Sequence, residues 1–125
     1  MVREGWIATR ETAEGLLMSI KQMSAEDLKI KLDNGEDVVF IDCREQDEWD
    51  AGHIPMAQLV PLSVFEKESE KLLKNKDAEI IIGCRSGRRS QQACEFLERK
   101  GFSNLTNLSG GILEWMDNGF DVIRD

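Results

Sequence analysis

The chain has 125 residues, 41% of them hydrophobic and 32% charged, with a formal charge of -8, which describes one globular domain able to build a core without disulfide or metal support. No apolar run approaches membrane-spanning length, and the acidic balance works against nucleic acid, a polymer bound by basic faces that neutralise phosphates. Three cysteines without paired spacing, Cys43, Cys84 and Cys94, together with charges scattered through the first 23 residues, point to reduced thiols and a cytoplasmic location rather than a secretory leader.

Residues 1–23 read as an extension ahead of the domain. Ala13, Leu16, Leu17, Ile20 and Met23 recur at helical spacing, which predicts a helix over residues 10–23 with one apolar stripe, although Gly15 interrupts it. The stripe covers part of the domain core, or else meets a second subunit (a homo-oligomer) or a partner protein. Trp6 lies in the same extension.

The domain itself is assigned to residues 24–125. Ser24 reads as an N-cap with Asp27 three residues on, opening a helix through Leu28 and Leu32 that stops at Asn34-Gly35. Val38 to Ile41 follows as a buried strand, residues 47–51 as a short helical turn, Leu59 to Leu62 as a short edge-type strand, and residues 63–73 as a charged amphipathic helix. Ile80 to Ile82 is a second wholly apolar strand, residues 90–100 a helix stopped by Gly101, and residues 104–108 a third strand. Gly110-Gly111 leads into a last helix around Leu113 to Met116. Strands and helices alternate, and the strands lack two-residue polarity. An α/β fold is expected, with a central, mainly parallel sheet flanked by helices on both faces.

In such folds ligands sit beyond the carboxyl ends of the strands, and Cys84 stands at one of them. It ends the apolar strand and opens the loop Arg85-Ser86-Gly87-Arg88-Arg89-Ser90, ahead of a helix whose first amides point back at the loop. Arginines and helix amides lower a thiol from about 8.5 into the range of about 3.5 to 7.5, so Cys84 is the candidate nucleophile. The same donors cradle an anion, which implies a negatively charged substrate. Gly87 supplies the backbone freedom that an amide nest requires, and Ser86 is expected to act through its backbone.

The residues Asp42-Cys43-Arg44-Glu45, Glu48-Trp49, Gly52-His53-Ile54-Pro55, the Cys84 to Ser90 loop, and Gly110-Gly111-Ile112 with Trp115 together resemble the single-domain rhodaneses, a family of sulfurtransferases. The resemblance runs from about Ser24 to Asp121 and leaves the extension outside. It implies a rhodanese-like domain in which Cys84 accepts sulfane sulfur as a persulfide, with no metal or organic cofactor. The donor would be a small sulfur-bearing anion such as thiosulfate, and the acceptor a thiol, a protein or cyanide. The substrate-binding set would be Arg85, Ser86, Gly87, Arg88 and Arg89, although Arg88 serves equally as a solvated rim residue. Asp42, Arg44 and Ser90 would support the loop.

Asp42 is expected to bond loop amides or a loop arginine, and Arg44 to pair with Glu45 or Glu48. His53 reads as a structural turn residue, since an ionised thiol needs no base. Cys43 and Cys94 read as buried core thiols, with a redox role only if one of them reaches Cys84. Met56 stands where the family commonly has glycine, and Gly83 where an aromatic or histidine is frequent. Two other readings stay open: a sulfur-relay or binding module that turns over thiosulfate poorly, and a phosphatase or arsenate reductase of the rhodanese-like type. Four residues separate Cys84 from Arg89, one fewer than the phosphatase loop needs to wrap a tetrahedral phosphate.

Overall fold

Three consecutive isoleucines, Ile80, Ile81 and Ile82, are completely buried at the centre of the computed structural model, which describes residues 19–124. They form β4 (Ile80–Gly83), the middle of a five-stranded sheet whose other members are β1 (Lys21–Met23), β2 (Val39–Asp42), β3 (Gln58–Leu59) and β5 (Leu105–Leu108). The order is β1-β5-β4-β2-β3, and every pairing is parallel. A parallel sheet must be covered on both faces, which is why these strands are apolar at successive positions rather than at alternate ones.

The side chains of each strand still alternate between two cores. Ile41 and Cys43 join Ile80, Ile82 and Cys84 on one face, packed against α3 (Phe65–Leu72) and α4 (Arg88–Arg99) through Phe65, Ala93, Cys94 and Leu97. Phe40, Ile81 and Leu108 face the other way, against α1 (Ala25–Asp33) and α5 (Gly111–Asp117) through Leu28, Ile112 and Trp115. Each fully buried isoleucine or leucine is worth roughly 1.5–3 kcal/mol relative to exposure. The remaining helix, α2 (Gln46–Ala51), follows β2 directly.

The helix expected over residues 10–23 is corrected at its end. Lys21–Met23 is a strand, paired from Lys21↔Thr106 to Met23↔Leu108. The outer edge of β5 would otherwise carry unpaired peptide groups, and β1 satisfies them. Ile20 and Met23 do meet the body of the protein, Ile20 in the α4-side core and Met23 against the other. The rest of that helix, with Trp6, lies outside the described residues.

Other boundaries shift for local reasons. The Leu59 to Leu62 strand is Gln58–Leu59, because Pro61 has no N–H to offer and the chain turns into a 3-10 turn at Leu62–Val64. Ser24 caps α1 as expected, its Oγ accepting from the Asp27 amide at 3.1 Å. Helix α4 begins at Arg88, two positions before the expected Ser90, which places Arg88 and Arg89 in its first turn. Among the described residues, no helix is long and apolar enough to cross a membrane.

Candidate active site

Cys84 follows the last residue of β4 and is only 3% exposed. Its sulfur accepts from the Gly87 amide at 3.1 Å and the Ser90 amide at 3.4 Å, and the Ser90 hydroxyl stands 3.4 Å away. The loop achieves this by turning left-handed at Gly87, with φ 94° at the N-cap of α4. Only a residue without Cβ fits there, since a Cβ would run into the Ser109 carbonyl. The opposite wall is equally tight. The α5 amides of Ile112 and Leu113 donate to the Cys84 and Arg85 carbonyls at 2.9 and 3.2 Å, and Gly111, at φ 60°, lies against the Arg85 carbonyl where a Cβ has no room.

These contacts set the charge of the thiol. The neighbouring Cys43 thiol, the Ser90 hydroxyl and the Ser90 and Ser86 amides together outweigh burial and hold Cys84 down to about 4. At neutral pH the sulfur is a thiolate resting in backbone donors at a helix N-terminus.

A rhodanese-like domain profile matches residues 24–118. The chain belongs to the rhodanese-like domain family. It is 34% identical over 104 residues to a protein of Allochromatium vinosum named sulfurtransferase, covering 83% of this chain and 95% of that one. A rhodanese-like domain protein from Staphylococcus aureus superposes with a TM-score of 0.73 at 30% identity, over 85% of this chain and 99% of the other. A thiosulfate sulfurtransferase from Pseudomonas aeruginosa, 22% identical with a TM-score of 0.75, shares the fold over 88% of this chain and 21% of its own. This chain thus carries a rhodanese-like domain homologous to small sulfurtransferases.

Around this rhodanese-like loop the arginines divide. Arg85 and Arg88 are exposed on the rim, and neither pairs with a carboxylate among the described residues. Arg89 closes on Glu48 in a two-pronged pair, both contacts at 2.8 Å, while its charge still acts on the Cys84 sulfur. The guanidinium holds the Glu48 carboxyl down at about 2, and Glu48 in return raises Arg89.

Asp42 and Arg44 are corrected. Arg44 pairs with neither Glu45 nor Glu48 through their carboxylates. Its guanidinium closes onto Asp42 at 2.8 Å and donates to the Glu48 and Gly52 carbonyls, while its own amide donates to Asp42 Oδ1. Asp42 thus meets no loop arginine. The two are a buried strap between the end of β2 and the Gly52-His53 turn. Likewise His53 is structural: its ring stacks on Trp49 at 3.5 Å, and its backbone bridges to Ile123.

Cys43 and Cys94 are fully buried thiols. Burial first, then nearby acids, pushes Cys94 up to about 12. Two contributors were not assigned to the site from the sequence. In the sequence Glu48 reads as part of the Glu48-Trp49 motif and a partner for Arg44, and Asn107 as part of a strand. Asn107 is buried and donates to the Gly87 carbonyl at 3.0 Å and to Gln22 at 2.9 Å, while its Oδ1 accepts from the Ser90 hydroxyl. That hydroxyl has one proton for two acceptors, and its closer contact is Asn107. The Gly87 and Ser90 amides are thus the constant donors to Cys84.

Proposed function

We propose that this domain is a sulfurtransferase that moves sulfane sulfur through a Cys84 persulfide. The observation that carries the reading is the Cys84 sulfur itself, ionised at neutral pH and fixed by the Gly87 and Ser90 amides beneath a rim bearing two outward arginines. The thiolate attacks the outer sulfur of a donor such as thiosulfate. A sulfur–sulfur bond forms on Cys84, the donor's own sulfur–sulfur bond breaks, and sulfite leaves with the electron pair. A thiol or cyanide then takes the outer sulfur and returns Cys84 as thiolate, a two-step covalent scheme with ping-pong kinetics. Arg85 and Arg88 supply positive charge to the donor's oxygens. Loop amides stabilise the anionic persulfide as they do the thiolate.

Arg89 disfavours a phosphatase, because both terminal nitrogens of its guanidinium are committed to Glu48 rather than free to grip a phosphate. The testing experiment is the intact mass of the reduced protein after exposure to thiosulfate, for wild type and Cys84→Ser. A gain of one sulfur in wild type alone is expected. No gain in wild type with Cys84 reduced and alkylatable would overturn thiosulfate as donor, and cleavage of an aryl phosphate would favour the phosphatase instead. Steady cyanide turnover marks an enzyme, whereas stoichiometric loading with slow turnover marks a relay.

A further inference from the structure

The β2–β4 ladder brings a second thiol to the nucleophile. Ile41 pairs with Ile82 and Asp42 with Gly83, and the Cys43 amide then donates to the Gly83 carbonyl at 2.9 Å. In a parallel ladder that bond sets Cys43 abreast of Cys84, one strand spacing of about 4.8 Å away. Two-residue alternation turns both side chains to the same face, and both lie in the same core beneath α4, 0% and 3% exposed. A buried thiol beside a buried thiolate has one favourable arrangement, in which it keeps its proton and aims it at the negative sulfur.

We propose that Cys43 is a positioning residue for the Cys84 nucleophile, keeping its own proton and donating it as an S–H···S hydrogen bond to the Cys84 thiolate. The surroundings fit that division. The neighbouring Cys84 sulfur, followed by burial, raises Cys43 far above the ordinary thiol range. The charged groups nearby are already committed or point outward: Asp42 and Arg44 at the end of β2 close on each other, Arg89 of α4 pairs with Glu48 of α2, and Arg85 and Arg88 stand on the rim. Cys94, further along α4, is itself protonated, and α3 presents the uncharged Phe65 and Ser69 to the interior.

This role rests on the persulfide reading for its effect on sulfur transfer. When an acceptor bonds to the outer sulfur, the sulfur–sulfur bond breaks and its electron pair stays on the Cys84 Sγ. A donor beside that atom stabilises the departing thiolate, and a better leaving thiol leaves faster. Cys43 exchanges no atoms and no electrons in the step.

The test uses the full chain with Cys43→Val, which fills the space without a donor, and Cys43→Ser, which keeps one. The pH dependence of Cys84 alkylation by iodoacetamide is followed by mass. In Cys43→Val the midpoint is expected to rise by about one pH unit, about a tenfold fall in reactive thiolate on the acid side, and Cys43→Ser is expected to recover most of it. An unchanged midpoint in Cys43→Val, or the same displacement in both variants, overturns the proposal in favour of packing alone. Thiosulfate loading is measured in parallel. Loading absent while the midpoint depends on Cys43 counts against the persulfide reading and leaves the hydrogen bond standing.

Discussion

Glu48 grips Arg89 with both carboxylate oxygens, each 2.8 Å from a guanidinium nitrogen, and so ties α2 to the first turn of α4 across 41 residues of sequence. The same carboxylate accepts from the Glu45 amide at 3.0 Å as part of the cap of α2. The loop's last arginine is therefore a strut that holds the cradle's edge, and under the proposed function the unpaired positive charge offered to a donor is that of Arg85 and Arg88.

Glu48→Gln removes the charge from this partly exposed pair, and a loss of about 1 kcal/mol is expected at neutral pH. Glu48 sits at about 2 in the folded protein, below the ordinary carboxylate value of about 4.3. The folded state thus favours the ionised form. Its contribution is complete above about 4.3 and is lost as pH falls through about 2. Thermal midpoints of wild type and Glu48→Gln should differ at neutral pH and converge toward pH 2. A gap that stays constant across that range would refute the linkage.

Cys84, held down to about 4, should react with iodoacetamide at a rate that is level through neutral pH and falls about tenfold per unit only below about 4, whereas an ordinary thiol already declines below about 8.5. Mass mapping should place the label on Cys84, with Cys43 and Cys94 unlabelled in the folded protein. A midpoint near the ordinary thiol value would mean that the amides do not stabilise the thiolate.

The sequence displays groups that act as chain neighbours more readily than groups that meet across the fold. Cys84, Gly87 and Ser90 are close neighbours in the chain, so a strand end, a glycine and a helix start locate the cradle from sequence alone. The parallel α/β architecture follows equally from apolar strands separated by helical patterns. Glu48 with Arg89 and Asn107 with Ser90 depend on which helix and strand lie side by side, and local periodicity carries no such information. Asn107 is instructive, because β5 reads as a strand while its alternation, which sends Leu105 and Asn107 toward α4 and Leu108 the other way, emerges only from the packing. The Cys43–Cys84 relation needs the strand register. Strand β1 was hidden because three residues, two of them polar, continue a helical stripe, and only the open edge of β5 makes them extended.

Gly87→Ala and Gly119→Ala form a matched pair. Both glycines are left-handed, at φ 94° and 79°, but a Cβ at Gly119 meets nothing within 4 Å whereas one at Gly87 meets the Ser109 carbonyl. Backbone strain alone costs about 1–2 kcal/mol, so Gly119→Ala should lose about that in denaturant unfolding and keep Cys84 reactivity. Gly87→Ala should lose more and should also raise the pH midpoint of Cys84, because relieving the clash withdraws the amide 3.1 Å from the sulfur. Equal effects of the two substitutions on Cys84 would show that the loop's shape does not govern the thiolate.

Met56 occupies a glycine's conformation, with φ 74°, the only non-glycine with positive φ among the described residues. It follows Pro55 in a turn in which the Ala57 amide donates to the Ile54 carbonyl at 3.3 Å, and the position after proline in a type II turn calls for positive φ. The side chain is 69% exposed, so it gains little from burial to offset a left-handed backbone that costs an L-residue about 1–2 kcal/mol. Glycine removes that strain and gives back about 0.5–1 kcal/mol through the greater freedom of the unfolded chain. Met56→Gly should therefore stabilise by about 0.5–1 kcal/mol and raise the thermal midpoint by about 2–5 °C. Met56→Ala retains Cβ and should show no such rise, which separates backbone relief from the loss of an exposed apolar side chain. Thiosulfate loading should be unchanged in both, since no contact to the Cys84 cradle runs through this turn. An equal rise for alanine and glycine would assign the effect to the side chain and dismiss backbone strain at Met56.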